Sequence, residues 1–395
     1  IRKPADAACC SDRVRLRIGI VTETYPPEVN GVAMTVGRLV SGMLCRAHHV
    51  LLVRPRQQPV DTREIGDGHL ETALQGALPV PGYPGLQFGL PAAGMLGRRF
   101  ARWRPQVLYV ATEGPLGWSA VSSANRLGIP AITGFHTNFH RYSAHYGVGL
   151  LGRAVLAYLR GFHNRSACTV VATEELRRQL RSAGYRNLRL LPRGVDTDLY
   201  GPHRRSAELR ASWGVQDDGL AVIYVGRLAP EKNLVQAVTA FRALQQAVPD
   251  ARFVLVGDGP LRARLVREHP DFIVGGTEVG TRLAAHYASA DLFLFPSLTE
   301  TFGNVTLEAM ASGLAVVAFN YAAARQHIGH GRNGLLAGFG RPESFTQCAI
   351  RAAGDRPLRQ ALGESARQSM ERVSWDAIYD VFERLLAEHA RMAAA

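Results

Sequence analysis

Short apolar segments alternate with longer helix-patterned stretches from Arg15 almost to the end of the chain. A strand that leads through a helix into another strand returns the chain parallel to its first direction. Repeated alternation therefore specifies an α/β architecture with parallel sheets. In the first half, the apolar runs at 16–21, 50–53, 107–110, 129–132, 168–171 and 188–191 read as strands. In the second half, those at 221–225, 253–256, 272–274, 292–295 and 315–319 do so. A chain of 395 residues exceeds one ordinary core, which implies two doubly wound domains of similar size.

Turn formers between Arg193 and Pro202 interrupt the periodicity, and the expected domains are 14–196 and 197–373. A last helix over 374–395 carries Trp375, Ile378, Tyr379, Phe382, Leu385 and Leu386 along one face. Its periodicity demands a burial site without saying which domain provides it.

Residues at a strand's C-terminal end, before the next helix, line the ligand crevice of an open parallel sheet. Two segments have that placement and carry charge. In residues 299–313, Glu300 sits in a loop and Glu308 in the first turns of a helix that runs from Val305 to Met310 and ends at Gly313. An ionised carboxylate accepts paired hydrogen bonds from a sugar diol, and the amides of Gly303 and Asn304 at the helix start suit a phosphate or a hydroxyl. Charge compensation of the helix dipole is the competing account of Glu308.

In residues 226–233, Arg227 and Lys232 lie between a strand and a helix, where a diphosphate would be held. Of 46 basic residues only Lys3 and Lys232 are lysine, which suggests a positional requirement for a compact ammonium. The loop 25–32 after the first strand lacks G-x-G-x-x-G, which disfavours a dinucleotide dehydrogenase. Gly31 at the head of the next helix either admits an anion or makes a plain turn. Residues 135–147 contain His136, His140 and His145 without a zinc-type spacing, so a polar, aromatic acceptor loop fits better than a metal site.

The formal charge of +13 is unevenly placed. Residues 1–200 hold 25 Lys and Arg against 13 Asp and Glu, whereas residues 201–395 hold 21 against 20. Anionic lipid or acidic glycan are the partners this suggests, against the alternative of scattered solvated arginines; nucleic acid is disfavoured because no nucleic-acid-binding signature accompanies the charge. No apolar run approaches the roughly 20 residues of a membrane span, and no signal-like core begins the chain, so export is not expected. Five cysteines without a C-x-x-C pair point to reduced thiols.

These motifs carry a resemblance. Residues 226–233, Gly257 to Pro260, Tyr287 to Asp291 and 299–313 occur in the order and spacing of the retaining GT-B glycosyltransferases of glycosyltransferase family 4, which the chain resembles over nearly its whole length. The resemblance implies two Rossmann-like domains facing a central cleft, a nucleotide-sugar donor held mainly by the second, and no essential metal or other cofactor. It implies Arg227 and Lys232 on the donor diphosphate and Glu308 on the ribose. Glu300, with the amides of Phe302, Gly303 and Asn304, would hold the transferred sugar. Gly31 would close over the phosphates, and His136 would touch the sugar beside the anomeric carbon. The last helix would cross back onto the first domain. Charge on Arg227 and Lys232 would assist departure of the diphosphate while the acceptor attacks the same face.

Residues 83–91 and 135–147 look most like bacterial GDP-mannose-dependent α-mannosyltransferases, although residues 273–280 depart from the family's usual wording. The expectation is hexose transfer, mannose from GDP-mannose, to a hydroxyl of a lipid or envelope glycan. Such an enzyme would be cytoplasmic and attached peripherally to the inner face of the membrane. A UDP-sugar transferase of the same family, or a non-catalytic sugar-nucleotide-binding protein on this scaffold, are the alternatives.

Overall fold

The computed structural model describes residues 15–28, 30–56, 68–79, 87–136, 150–216 and 218–394. They form two compact units, one of residues Ile1–Pro192 with Asp376–Ala395 and the other of Arg193–Trp375. Lys3, His140, His145 and the stretch 137–147 lie outside the described residues.

In the first unit the strands are β1 (Arg17–Val21), β2 (His49–Pro55), β3 (Leu70–Gln75), β4 (Ala77–Pro79), β5 (Gln87–Gly89), β6 (Val107–Val110), β7 (Ala131–Gly134), β8 (Cys168–Val171) and β9 (Leu188–Leu190). Seven form a parallel sheet in the order β3-β2-β1-β6-β7-β8-β9, and β4 and β5 pair as a small antiparallel ribbon. Helices cover the sheet, so β6 (Val-Leu-Tyr-Val) and β8 (Cys-Thr-Val-Val) are buried at every position.

Three details differ from the sequence reading. The apolar run at 129–132 becomes a strand only from Ala131, because Pro130 has no N–H for a ladder and contributes only its carbonyl, which accepts from the Leu108 amide at 2.9 Å. Strand β3, with Glu71, Thr72 and Gln75, escaped notice because the edge of a sheet accepts polar side chains. The two-stranded ribbon is too short for its alternation to be seen.

The last helix, Trp375–Ala394, returns to the first unit from Asp376 onward. Ile378, Tyr379, Phe382, Leu385 and Leu386 are buried there. Phe382 meets Tyr109 edge to face at 5.0 Å, and Tyr379 lies where a Cβ on Gly42 would stand, 2.5 Å from its ring. Arg46 fixes the helix through Asp380 at 3.0 Å and Glu383 at 3.2 Å.

The second unit contains β10 (Ala221–Val225), β11 (Arg252–Val256), β12 (Ile273–Gly276), β13 (Leu292–Phe295), β14 (Ala315–Phe319) and β15 (Leu335–Ala337). They are parallel in the order β12-β11-β10-β13-β14-β15. The sheet grows outward from β10 to β11 and β12, then the chain crosses to β13 on the other side. Between β10 and β13 the helices that follow the two strands therefore depart in opposite directions. A crevice opens at the strands' C-terminal ends at such a point.

Asp291 anchors this arrangement. One of its oxygens accepts the Ala221 amide at 2.8 Å and the guanidinium of Arg210 at 2.9 Å, and the other accepts Arg205 at 2.9 Å. The buried Arg210 also donates to the carbonyls of Ser289, Gln216 and Gly219, so its donors are met despite burial.

Candidate active site

The loops after β10 and β13 meet at the switch point of the second unit. Gly226 leaves β10 at φ +147°, and a side chain on the neighbouring Gly257 would stand 2.0 Å from the Gly226 carbonyl oxygen. Only glycine lets these two backbones approach. A tight turn over Pro230–Lys232 ends at Asn233, in the left-handed region at φ +55°, whose side-chain amide donates to the Pro296 carbonyl at 3.2 Å. Thr299 Oγ1 donates to the Glu231 carbonyl at 2.9 Å. These two bonds tie the loops together across 63 and 68 residues of sequence.

Lys232 Nζ thereby reaches Glu300 Oε1 at 2.5 Å. Both side chains are largely buried, at 20% and 13% exposure, so solvent screens the pair less than a surface pair. Ser297 Oγ donates to the same carboxylate oxygen at 2.6 Å, and Tyr321 OH holds the Glu300 carbonyl at 2.9 Å. Arg227 is more open, at 46% exposure, and pairs with Glu231 at 3.3 Å. Its carbonyl accepts from the buried Tyr224 hydroxyl at 3.2 Å, which fixes the loop while the guanidinium stays accessible.

Gly303, at φ +93°, begins the helix Asn304–Ala311 and brings no side chain to cap it. The start of an uncapped helix offers amide donors and a positive dipole end to an anion or a hydroxyl. Phe302 is buried, and its carbonyl accepts the Ala323 amide at 2.8 Å, so its side chain belongs to the core. Glu308, one turn into the helix, is half-buried and accepts from Tyr287 OH at 3.0 Å. Sequence reasoning placed Lys232, Glu300 and Glu308 near a helix start but overlooked Ser297, Thr299, Tyr321 and the phenol of Tyr287. Tyr287 looks like a core aromatic in the sequence, and it is one except for its oxygen.

The first unit has its own switch point between β1 and β6. Glu23 follows β1 and caps the helix Pro115–Arg126, accepting the Leu116 amide at 3.0 Å. A side chain on Gly114 would stand 2.0 Å from that carboxylate. Burial pushes Glu23 up to about 7 against the opposing amides of Leu116 and Gly117. Loss of solvent raises Glu113 to about 7 as well, with the Glu23 charge adding to the effect. Two carboxyls that burial holds above the ordinary carboxylate range therefore stand at the C-terminal end of this sheet, and neither was singled out from the sequence.

His136 follows β7, where its Nε2 lies 2.9 Å from the hydroxyl of the buried Tyr109. Gly134 leaves the room for that contact, since a Cβ would stand 2.4 Å from both groups. Gly31 opens the helix Gly31–Cys45, but Asn30 Oδ1 already accepts the amides of Val32 and Ala33 at 3.1 and 2.8 Å. Among the described residues, no packing partner lies within 4 Å of a Cβ built on Gly31, so none of them requires glycine there.

Two parallel, doubly wound sheets in one chain make up the GT-B architecture. Sucrose-phosphate synthase of Thermosynechococcus elongatus superposes with a TM-score of 0.79 at 20% identity, over 96% of this chain and all of that one. Anabaena HepE, solved in complex with UDP and glucose, superposes at 0.75 with 19% identity, over 95% and 100%. Residues 29–199 match the model of glycosyltransferase family 4, and residues 205–369 that of the glycosyl transferases group 1. The chain is 32% identical to a GDP-mannose-dependent alpha-mannosyltransferase of Mycolicibacterium smegmatis, over 92% of this chain and 95% of that protein. It belongs to glycosyltransferase family 4, and it is a glycosyltransferase acting with a sugar-nucleotide donor and a glycan or lipid acceptor.

Proposed function

We propose that this enzyme transfers mannose from GDP-mannose, with retention at the anomeric carbon, to a hydroxyl of a lipid or envelope glycan. The contact between Lys232 and Glu300 at the switch point of the second unit carries the reading. It places a cation suited to a diphosphate beside a carboxylate suited to sugar hydroxyls, at the crevice where open α/β sheets bind ligands. The mannose donor is supported by the mycobacterial relative and by the likeness of residues 83–91 and 135–147 to that group.

In this reading Arg227 and Lys232 meet the negative charge that develops on the departing diphosphate, so the chain's own cations supply the electrophilic assistance and no metal is needed. Glu308 accepts the ribose hydroxyls. Glu300, with the amides of Phe302, Gly303 and Asn304, holds the hexose. Gly31 and His136 serve the phosphates and the sugar from the first unit, as the family resemblance implies. The acceptor hydroxyl attacks on the face from which the diphosphate leaves, and no protein nucleophile is required.

The basic charge of residues 1–200 supports peripheral attachment to an anionic membrane, on the cytoplasmic face where nucleotide sugars are consumed. Among the described residues, no helix is long and apolar enough to cross a membrane.

The deciding experiment supplies GDP-mannose, UDP-glucose and UDP-N-acetylglucosamine in parallel, with membrane extract as acceptor, and follows nucleotide release and labelled product. GDP-mannose alone should turn over. Turnover of a UDP-sugar in its place would refute the guanine and mannose assignments, and binding without turnover of any donor would favour a non-catalytic role.

A further inference from the structure

Glu308 is held by a residue from another helix. Tyr287 lies in the helix Gly280–Ser289, and its side chain is fully buried. Its ring packs edge to face on Tyr200 at 5.8 Å and on Phe293 at 5.9 Å, which leaves little rotational freedom. The hydroxyl points out of that aromatic cluster at Glu308 Oε2, 3.0 Å away. Burial, then the facing Glu308 charge, holds the phenol well above its ordinary range, so it remains a donor at every working pH.

A hydroxyl buried in an aromatic cluster carries a desolvation cost that a phenylalanine would avoid. The hydrogen bond to a carboxylate offsets that cost and also restricts the carboxylate. A glutamate has three side-chain torsions, and a half-buried one can swing between several rotamers. Tying one oxygen to a rigid phenol narrows the orientations open to the carboxylate before any ligand arrives. Paired recognition of adjacent hydroxyls depends on that orientation.

We infer that Tyr287 is a positioning residue that gives the donor site its selectivity for an intact ribose by locking the carboxylate of Glu308. The inference rests on the assignment of Glu308 to the ribose. Its signature is a loss of discrimination between hydroxylated and dideoxy nucleotides, which a purely structural role would not produce.

The test measures the affinities of GDP and 2′,3′-dideoxy-GDP, and of UDP and 2′,3′-dideoxy-UDP, by calorimetry for wild type, Tyr287→Phe, Glu308→Gln and the double variant. The base that wild type binds more tightly supplies the ratio. Phe keeps the ring that packs on Tyr200 and Phe293, and a ratio of two affinities does not depend on the fraction of protein folded. Wild type should prefer the hydroxylated nucleotide by about tenfold or more, the worth of hydrogen bonds to a charged group. Tyr287→Phe should lose most of that preference by weakening only the hydroxylated ligand, and the double variant should be no worse than Glu308→Gln. If Glu308→Gln loses the preference while Tyr287→Phe keeps the wild-type ratio, or weakens both ligands equally, the inference is overturned. If Glu308→Gln itself keeps the wild-type ratio, the ribose assignment fails and takes the inference with it.

Discussion

Replacing Lys232 by Met removes one charge from a pair that excludes most solvent. The partners stand 2.5 Å apart at 20% and 13% exposure, and Ser297 would then be left to hydrogen-bond Glu300 without a cation. An exposed pair contributes about 0–1 kcal/mol and loss of one partner of a fully buried pair costs about 3–5, so the substitution should destabilise the second unit by about 2 kcal/mol. The effect on ligand is larger. A diphosphate loses a charge-assisted contact worth about 1.5–3 kcal/mol and then faces a bare carboxylate, so GDP affinity should fall about 100-fold. Glu300→Gln in the Lys232→Met background removes the facing anion and should restore about tenfold of that loss. Glu300→Gln alone frees the ammonium and should bind GDP at least as tightly as wild type, while turnover falls because the hexose loses its acceptor. GDP is the right ligand for the cycle because it lacks the sugar that Glu300 is assigned to hold. Calorimetry with GDP on the four proteins reads the affinities, thermal unfolding the stability, and a donor assay the turnover. Wild-type GDP affinity in Lys232→Met, or no recovery in the double variant, would refute the reasoning.

Three other outcomes follow from the structure. Arg210→Met leaves the carbonyls of Ser289, Gln216 and Gly219 and the carboxylate of Asp291 each short of a donor and should cost about 3–5 kcal/mol, whereas Arg205→Met, at a side chain 42% exposed, should cost under about 1; equal thermal shifts in the two would contradict the anchoring role of Arg210. Burial of His163 lowers its pKa from 6.5 to about 3, so the unfolded chain binds more protons between those values. The contribution of neutral His163 is complete above pH 6.5 and falls with pH, by about 2 kcal/mol at pH 5, and His163→Phe should show a flatter urea-midpoint profile from pH 7 to 5 than wild type. An identical profile would show that this imidazole does not govern the slope. If the basic half meets a membrane, the protein should sediment with anionic vesicles at low salt and be released as salt screens the attraction; retention by neutral vesicles, or indifference to salt, would dismiss the electrostatic mode.

Much of the fold could be read locally. Segments such as Ala221–Val225 and Leu292–Phe295 are apolar at every position, which marks strands buried on both faces, and Gly303 and Gly313 bracket their helix through backbone conformations that other residues adopt with strain. The positions of Arg227, Lys232 and Glu300 between a strand and a helix, and of Glu308 in the first turns of a helix, were likewise legible. Edge strand β3 and the ribbon of β4 and β5 were not, since short or polar strands lack a distinctive period.

The type of each long element and the chemistry available at the ends of the strands are legible in the amino-acid order, because these depend on periodicity and local backbone sterics. Which strands become neighbours depends on burial and ladder hydrogen bonds made with distant segments, and the placement of β13 beside β10 emerges only once the chain has folded. That adjacency brings Lys232 to Glu300 across 68 residues and, with the neighbouring helices, aims the Tyr287 phenol at Glu308. Folding likewise decides that the amphipathic last helix buries Tyr379 against Gly42 in the first unit. A helical period specifies that an apolar face must be covered, whereas the covering surface is chosen by shape, here at Gly42, which leaves room for the Tyr379 ring.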